Sequence, residues 1–300
     1  MKSTIIEKAK EVIDKRRFYA DSYAIKNKAQ AFEDPIFKEL YQKYTENMIE
    51  CAKLGKEMSD EVKALKQKYY ARLKELKLPS IDPDYSCKKC NDTGFVDGKY
   101  CQCLIREINN ILKKESGFLS FEDFDNVKFE VFGEDDSMKK LYAKMKSWCH
   151  SDFHKNLIFI AGDTGVGKTH LVKCMANELI KLNHIVYLTT SFAMHQDFVK
   201  SYSTRDLEQK NQLLDRYLNC EFLFIDDLGT ELRLPNITLN YLYQVINERK
   251  MKRLPTIITS NLDLYNIKDY YDERIASRII DKATSICVYI KGDDIRLKKA

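Results

Sequence analysis

The chain has 300 residues, of which 44% are hydrophobic and 32% are charged, and its formal net charge at pH 7 is +5. A chain of this length and composition is typical of a globular protein with about two domains. It lacks an apolar run of about 18 residues, which argues against a membrane span. Its first residues do not form a secretory signal, so we expect a cytoplasmic protein. The small positive charge permits contact with nucleic acid without requiring it.

The first part of the chain, from Ser3 to about Lys77, is charged and helical in pattern. Apolar residues recur there at helical spacing in three segments. The three stripes are Ile5, Ala9, Val12 or Ile13, Ala20 and Tyr23 or Ala24; Phe37, Leu40, Tyr41, Tyr44 and Met48; and Met58, Val62, Leu65, Tyr69, Leu73 and Leu76. Pro35 separates the first two helices, because proline disfavours helical conformation in the residue before it. Such helices form a self-contained bundle or dock a partner, and the two interpretations are compatible.

Four of the nine cysteines lie close together in the sequence. They are Cys87, Cys90, Cys101 and Cys103. The first pair has the C-x₂-C spacing that places two thiolates on one tight turn, and turns at Gly94 and Gly98 fold the second pair back. Four sulfurs around one tetrahedral Zn²⁺ make a structural site with no open position for catalysis. A reduced, metal-free loop and an iron–sulfur cluster are the alternatives.

The remaining cysteines are scattered along the chain. Cys174, Cys220 and Cys287 have apolar neighbours in the sequence, and we expect them to be reduced thiols in the core. The odd total argues against a disulfide framework.

A glycine-rich segment matches the phosphate-binding pattern G-x-x-x-x-G-K-[ST]. Its residues are Gly162, Asp163, Thr164, Gly165, Val166, Gly167, Lys168 and Thr169. An apolar run precedes it and a helical pattern follows, which is the strand–loop–helix context that the motif requires. The loop's backbone N–H groups and the positive end of the helix favour an anion. We expect Lys168 to reach the β- and γ-phosphates of ATP and the Thr169 hydroxyl to bind Mg²⁺.

The rest of the chain alternates between strands and helices. Strands are predicted at 157–161, 184–190, 221–229, 254–261 and 285–290, and helices at 104–114, 136–149, 191–201, 205–218, 237–252 and 272–280. This alternation predicts a parallel sheet covered on both faces, with the phosphate site at the carboxyl ends of its strands. Residues 117–124 form an aromatic linker, which we expect to pack against the core rather than over a nucleotide base.

The strand at 221–229 carries two acids near its end, Asp226 and Asp227, after four apolar residues. This is the Walker B pattern. We expect Asp226 to hold the Mg²⁺ indirectly and Asp227 to orient or deprotonate the attacking water.

Four segments, GDTGVGKTH, FLFIDDLGTE, TIITSNLDL and ERIASRI, occur in this order and resemble the AAA+ ATPases of the DnaC/DnaI helicase-loader group, which includes IstB-like ATP-binding proteins. The similarity covers about 118–296. It implies an α/β AAA+ P-loop NTPase with a central parallel sheet, behind a helical N-terminal domain and a small four-cysteine zinc module. The implied domains are 1–80 (helical, helicase interaction), 81–117 (zinc module and connecting helix) and 118–300 (ATPase).

The resemblance also assigns roles to polar residues late in the chain. Asn261 matches the sensor-1 residue, which contacts the γ-phosphate or the lytic water. Arg278 matches the arginine finger, which reaches into a neighbouring subunit's site, and Arg274 is the alternative. Arg296 matches the sensor-2 position.

Two departures from the family pattern bear on hydrolysis. The ten residues after Ile290 are too few for the helical lid of most AAA+ proteins, which suggests an open site that a neighbouring subunit closes. Asp227 stands where many AAA+ proteins have Glu, so we expect slow, switch-like hydrolysis.

The resemblance implies an ATP-dependent loader of a DnaB-type hexameric replicative helicase onto single-stranded DNA. The N-terminal domain would hold the helicase, and the ATPase domain would self-assemble and contact the DNA. Basic and aromatic residues suited to that contact are Phe192, Lys200, Tyr202 and Arg205. An IstB-type transposition helper that acts with a transposase, and an ATP-gated adaptor with little turnover, are the rival functions. The implied cofactors are ATP, Mg²⁺ and structural Zn²⁺.

Overall fold

The computed structural model describes residues 4–55, 57–116, 118, 120–133 and 136–297. They divide into two compact units, of which one is Lys10–Cys103 and the other comprises the remaining described residues. The predicted boundaries at residues 80 and 117 stay a prediction. Among the described residues, no helix is both long enough and apolar enough to cross a membrane.

Three helices occupy the N-terminal region, as predicted: α1 (Thr4–Ala31), α2 (Pro35–Lys53) and α3 (Asp60–Glu75). Asp34 caps α2 by accepting a hydrogen bond from the Phe37 N–H. The Ser59 hydroxyl accepts one from the Val62 N–H and so sets the start of α3. The predicted third stripe is therefore too long, because Met58 precedes the cap and Leu76 follows the last turn.

The packing of these helices decides between the alternatives that the periodicity left open. On α1, Ile13 and Ala24 are buried, whereas Val12 and Tyr23 are exposed. Residues of α2 and α3, together with the end of α1 and Ile81 after α3, form an aromatic and aliphatic cluster. Its buried members are Ala31, Phe37, Tyr69, Leu73 and Ile81.

The second part of the chain forms a five-stranded sheet with helices between its strands. After the hairpin strands β1 (Phe95–Val96) and β2 (Lys99–Tyr100), the elements are α4 (Gln102–Ser116), α5 (Ser137–Cys149), β3 (Leu157–Gly162), α6 (Lys168–Lys181), β4 (Val186–Thr190), α7 (Ser191–Ser203), α8 (Leu207–Asn219), β5 (Phe222–Leu228), α9 (Asn240–Met251), β6 (Thr256–Ser260), α10 (Asn266–Tyr270), α11 (Glu273–Ile279) and β7 (Ser285–Ile290). All five predicted sheet strands are confirmed. The hairpin, α10 and a π-helical turn at Pro235–Leu239 were not predicted.

The sheet order is β4-β5-β6-β3-β7, and neighbouring strands are parallel throughout. Every residue of β3 is buried, because this strand lies between two others and both faces are covered. The predicted α/β class with a central parallel sheet is confirmed. The order also places β5, β6 and β3 side by side, so that their carboxyl ends meet at one edge.

The aromatic linker packs against the core of the sheet unit, as expected. Phe124 is buried in the core, and Phe118 and Phe121 pack against it while partly exposed. Gly117 and Leu119, which also belong to the predicted linker, lie outside the described residues.

The prediction of three core thiols is right for two cysteines and wrong for the third. Cys174 and Cys220 are fully buried, whereas Cys287 is exposed. Cys287 lies on β7, an edge strand whose side chains alternate between the two faces of the sheet.

Arg249 supports the end of the sheet opposite to the predicted phosphate site. Its side chain is fully buried, and its guanidinium donates to the carbonyls of Tyr217 (3.0 Å), Cys220 (2.8 Å) and Pro255 (2.7 Å). A buried cation is stable here because carbonyl oxygens from several segments satisfy its donors.

Candidate nucleotide site and cysteine cluster

The phosphate-type loop follows β3 at the carboxyl edge of the sheet and ends where α6 begins at Lys168. Gly165 and Gly167 have φ values of +80° and +94°, in the left-handed region that favours glycine. Space is also tight, since a Cβ on Gly167 would lie 2.9 Å from the Phe132 ring and one on Gly165 would lie 2.0 Å from the Asp294 carboxylate, so these side chains would have to move.

Lys168 lies in the centre of this edge and is only 5% exposed. Its ammonium donates to the carbonyls of Gly162 and Asp163 and to Asn261 Oδ1, each at 2.7 Å. Burial lowers the pKa of Lys168, and the nearby carboxylates of Asp227 and Asp226 oppose that shift. The structure therefore brings together the predicted lysine and the predicted sensor-1 asparagine.

Thr169 and Asp226 form a hydroxyl–carboxylate pair beside Lys168. Thr169 Oγ1 donates to Asp226 Oδ2 at 3.0 Å, and Thr259 Oγ1 donates to Asp226 Oδ1 at 2.6 Å. Burial raises the pKa of Asp226, although the bond from Thr259 counteracts the rise. A hydroxyl and a carboxylate oxygen are hard ligands of the kind that Mg²⁺ prefers, so the predicted pair fits that ion.

Asp227 follows in a strained part of the backbone. Its φ is +57°, and the pairing of β5 with β6 shifts register between Ile225 and Leu228. The Asp227 N–H donates to Thr259 Oγ1 at 2.8 Å. Because of this irregularity, the two consecutive carboxylates lie in different surroundings. Asp226 is buried, whereas Asp227 borders a cavity.

That cavity, of about 280 Å³, opens in front of the loop. The predicted site residues that line it are Thr164, Gly165, Gly167, Lys168, Thr169, Asp227, Asn261 and Arg296. Gly162 and Asp163 contribute the carbonyls that hold Lys168. Val166 is buried in the core beneath the loop.

The two candidate finger arginines lie elsewhere in the described chain and do not border this cavity. Arg278 Nε donates to Asn247 Oδ1 at 2.8 Å. The Arg278 guanidinium lies 4.9 Å from the centre of the Tyr243 ring. Arg274 lies 5.2 Å from the same ring and forms an ion pair with Asp272. If either arginine acts at a phosphate loop, that loop therefore belongs to another copy of the chain.

Sequence reasoning missed two residues that shape the site. The Thr259 hydroxyl donates to the Asp226 carboxylate and accepts from the Asp227 N–H. Thr259 lies two positions before Asn261, a spacing that places the side chains of Thr259 and Asn261 on one side of an extended strand. Glu231 is 4% exposed and accepts hydrogen bonds from the Gly229 N–H and the Tyr271 hydroxyl. It thereby fixes the loop after Asp227, but its sequence position offers no signal of this role.

A further contact joins Asp227 to α7. The Ser191 hydroxyl donates to the Asp227 carbonyl at 2.7 Å, and Thr190 caps the helix by accepting from the Ala193 N–H. Phe192 and Tyr202 on this helix are 55% and 60% exposed. The backbone of the predicted water-orienting residue is thus in direct contact with the helix predicted to face DNA.

The four clustered cysteines converge within the Lys10–Cys103 unit. Their sulfur atoms all lie within 4.8 Å of one another, with Cys87 3.7 Å from Cys101 and Cys90 3.4 Å from Cys103. Tetrahedral Zn–S bonds of about 2.3 Å imply sulfur separations of about 3.8 Å. The donor set therefore fits a structural zinc ion.

Local backbone geometry holds this arrangement. The buried Asp92 carboxylate accepts from the N–H groups of Ser86 (2.7 Å) and Cys87 (2.9 Å). The Gly94 N–H donates to Cys90 Sγ. Burial acts to raise the pKa of Cys90, but the bond from Gly94 and those from neighbouring thiols outweigh it and lower the pKa to about 6. By contrast, burial raises the pKa of Cys101, and burial together with the neighbouring thiols raises that of Cys103.

Together the sheet and the loop define a parallel α/β fold with a phosphate-binding loop at its carboxyl edge. The family model of the IstB-like ATP binding protein matches residues 105–300. This chain belongs to that family.

The proteins to which this chain is similar include a protein of a phage-like element and a replication protein. The chain is 26% identical to the phage-like element PBSX protein XkdC of Bacillus subtilis (strain 168), over 69% of this chain and 83% of XkdC. It is 30% identical to the protein YqaM of the same strain, over 66% of this chain and 65% of YqaM. A crystal structure of the DnaC helicase loader is 20% identical and covers 56% of this chain and 96% of its own, with a TM-score of 0.49.

The raised pKa of Asp226 predicts that this carboxylate reduces stability at neutral pH. Since the folded-state pKa lies above the usual 3.8, the stability that this group contributes is fully present below that value and is lost as the pH rises through the folded-state pKa. We expect Asp226→Asn to raise the free energy of unfolding at pH 7 in urea titrations without Mg²⁺ or nucleotide. The gain should shrink as the pH approaches 4.

Asp269→Asn, which removes an exposed carboxylate on α10, is the matched control and should change the free energy of unfolding by less than about 0.5 kcal/mol. A destabilised Asp226→Asn variant at pH 7 would contradict the interpretation.

Proposed function

We propose that this protein is an ATP-dependent loader that places a DnaB-type hexameric replicative helicase on single-stranded DNA. The observation that carries the proposal is the meeting of Lys168, Thr169 and Asp226 with Asn261 at one edge of the sheet. Membership of the IstB-like ATP binding protein family supports ATP as the nucleotide. The resemblance of the motifs to the DnaC/DnaI group supports the loading function.

In the proposed site, the loop from Gly162 to Thr169 surrounds the phosphates. Lys168 exchanges its bonds to two loop carbonyls and Asn261 for phosphate oxygens, which a buried ammonium binds strongly. Thr169 and Asp226 would hold Mg²⁺, which neutralises charge on the phosphates. Asp227, at the border of the cavity, orients the attacking water, and Asn261 contacts the terminal phosphate or that water.

The proposal requires assembly, because the finger must come from a neighbouring copy. Arg278 is held beside α9 by Asn247 and Tyr243, away from the cavity of its own chain. Such an arrangement preorganises a cation for a second molecule's phosphate. Arg274, on the same helix and the same aromatic ring, is the alternative donor.

Contact with DNA is assigned to α7 and the segment after it. Phe192 and Tyr202 present exposed rings for stacking on bases, and Lys200 and Arg205 are exposed cations beside them. The hydrogen bond from Ser191 to the Asp227 carbonyl supplies a direct route by which the nucleotide state alters this surface.

Contact with the helicase is assigned to the N-terminal helices. Phe18, Tyr19 and Tyr23 on α1 are 66%, 69% and 60% exposed. Neighbouring exposed aromatic side chains on one helix are typical of a surface that a protein partner covers.

One rival function has its own support. The matching family bears the name of IstB, so a helper ATPase that acts with a transposase is the second candidate. Capture experiments separate the two, because the loader binds the replicative helicase and the helper binds a transposase.

The test uses the full chain, the replicative helicase of the same cell and circular single-stranded DNA. With ATP, the wild type should raise the amount of helicase bound to the circles. Lys168→Ala should weaken ATP binding by about tenfold to a hundredfold, since it removes charged hydrogen bonds, and should abolish the loading.

Lys181→Ala, at the exposed far end of the same helix, is the matched control and should load normally. Loading that survives Lys168→Ala would contradict the proposal, and selective capture of a transposase would favour the rival.

We also propose that Cys87, Cys90, Cys101 and Cys103 hold one structural Zn²⁺. The sulfur separations support this assignment. Without metal, four clustered thiols stabilise a short hairpin poorly, so folding of this segment would depend on the ion.

Metal analysis of the purified chain should find about one zinc per chain. Cys90→Ser should lose the metal and lower the Tm, whereas Cys287→Ser, at an exposed cysteine outside the cluster, should keep it. A folded wild type without stoichiometric metal, or one that contains iron, would refute the zinc assignment.

A further inference from the structure

The segment after β7 turns back across the phosphate loop. The Ile295 N–H donates to the Gly165 carbonyl at 3.0 Å, and the Ile295 side chain borders the cavity. The Asp294 carboxylate fills the space beside Gly165, because a Cβ on this glycine would lie only 2.0 Å from it. Residues 291–297 thus form a strap, and its acidic group lies directly against the loop that is proposed to take phosphate.

The next residue places a cation at the same cavity but pairs it with this acid. Arg296 Nε donates to Asp294 Oδ1 at 3.0 Å, and a terminal guanidinium nitrogen donates to Oδ2 at 2.8 Å. Hydrogen bonding by Arg296 keeps the pKa of Asp294 below its usual value, so the carboxylate is ionised at neutral pH. The two guanidinium nitrogens of Arg296 that bind Asp294 are unavailable to another anion while this ion pair persists.

A phosphate group offers Arg296 the same kind of partner. Carboxylates and phosphates both bind a guanidinium through two parallel hydrogen bonds. Asp227, the proposed water-orienting residue, borders the cavity together with Arg296. The hydrogen bond to Asp294 raises the pKa of Arg296, and the Asp227 carboxylate adds to that rise. The Asp227 and Arg296 side chains are therefore close enough to interact, and Arg296 lies toward the part of the cavity assigned to the terminal phosphate of ATP.

We propose that Asp294 is an internal competitor of the nucleotide for Arg296. It holds the guanidinium at the rim of the cavity, and the terminal phosphate of a triphosphate takes the guanidinium from it. Asp294 is a positioning residue in this scheme, since it acts through Arg296. The inference rests on the proposed ATP site and adds that Asp294 weakens the binding of a triphosphate but not of a diphosphate, so that it limits how strongly the site prefers ATP.

The exchange also moves the Asp294 side chain. When Arg296 turns to phosphate, the Asp294 carboxylate is left without its partner and next to bound anions. Like charges at close range repel, so the Asp294 side chain turns away from Gly165 while Arg296 stays at the phosphate. The Asp294–Arg296 pair therefore reports which nucleotide is bound, and it does so on the surface of the protein.

The test measures binding of a non-hydrolysable ATP analogue and of ADP to the full chain with Mg²⁺ at low salt. Asp294→Asn should bind the ATP analogue about two- to fivefold more tightly than the wild type, because a partly exposed ion pair contributes little and the competition is correspondingly modest. Its affinity for ADP should change by less than about twofold. Asp294→Ala should behave in the same way.

Two further variants distinguish competition from a general charge effect. Asp293→Asn removes the same charge one position away, from a residue that borders a different small cavity, and should not produce the selective gain. In an Arg296→Ala background, Asp294→Asn should produce no gain that is selective for the ATP analogue over ADP, since the competitor then has nothing to hold.

The inference would be overturned if Asp294→Asn tightened ADP binding as much as ATP-analogue binding, or if it tightened neither. It would also be overturned if Asp293→Asn gave the same selective gain in affinity, or if that selective gain persisted without Arg296. A wild type that binds neither nucleotide would instead overturn the proposed function on which the inference rests.

Discussion

The buried carboxylate of Asp226 is the interaction on which the rest of the site depends. A charge at 3% exposure is costly unless hydrogen bonds satisfy it. Two threonine hydroxyls do so, from Thr169 on α6 and Thr259 on β6. The same Thr259 oxygen accepts from the Asp227 N–H. One buried charge thus ties the loop helix and two strands into a fixed geometry, which a binding site for a metal and phosphate requires.

The sheet order makes this geometry possible and connects it to surfaces farther away. Because β3 and β5 both pair with β6, the phosphate loop, the two acids and Asn261 end at the same edge. From there, hydrogen bonds lead to α7 through Ser191, to Tyr271 just before α11 through Glu231, and to the strap through Ile295. Each surface proposed for DNA, for a neighbouring copy or for nucleotide discrimination is one hydrogen bond from the site or its adjoining loop.

The sequence predicts best what depends on local pattern. The loop from Gly162 to Thr169 and the acids after an apolar strand carry their geometry in short motifs, so the structure places them together as predicted. The five sheet strands were also predictable, because buried parallel strands are continuous apolar runs. The four cysteines belong to the same class, since their spacing limits how far apart the sulfurs can lie.

What the sequence did not predict depends on tertiary placement. Cys287 is exposed because β7 lies at the edge of the sheet, and no local pattern states which strand is last. Glu231 and Asp294 look like ordinary surface acids until the fold brings them to Gly229 and Gly165. The stripe on α1 was ambiguous between Val12 and Ile13 because adjacent residues on a helix are only about 100° apart.

The central claim is that ATP binds at this edge in one copy and is hydrolysed with the help of Arg278 from the next. The most direct measurement is steady-state ATP turnover of mixtures of Lys168→Ala and Arg278→Ala chains. Each variant alone should be nearly inactive, and the mixture should recover a substantial part of wild-type turnover, since some interfaces then pair an intact loop with an intact arginine. Turnover by Arg278→Ala alone at the wild-type rate, with no dependence on chain concentration, would contradict the account.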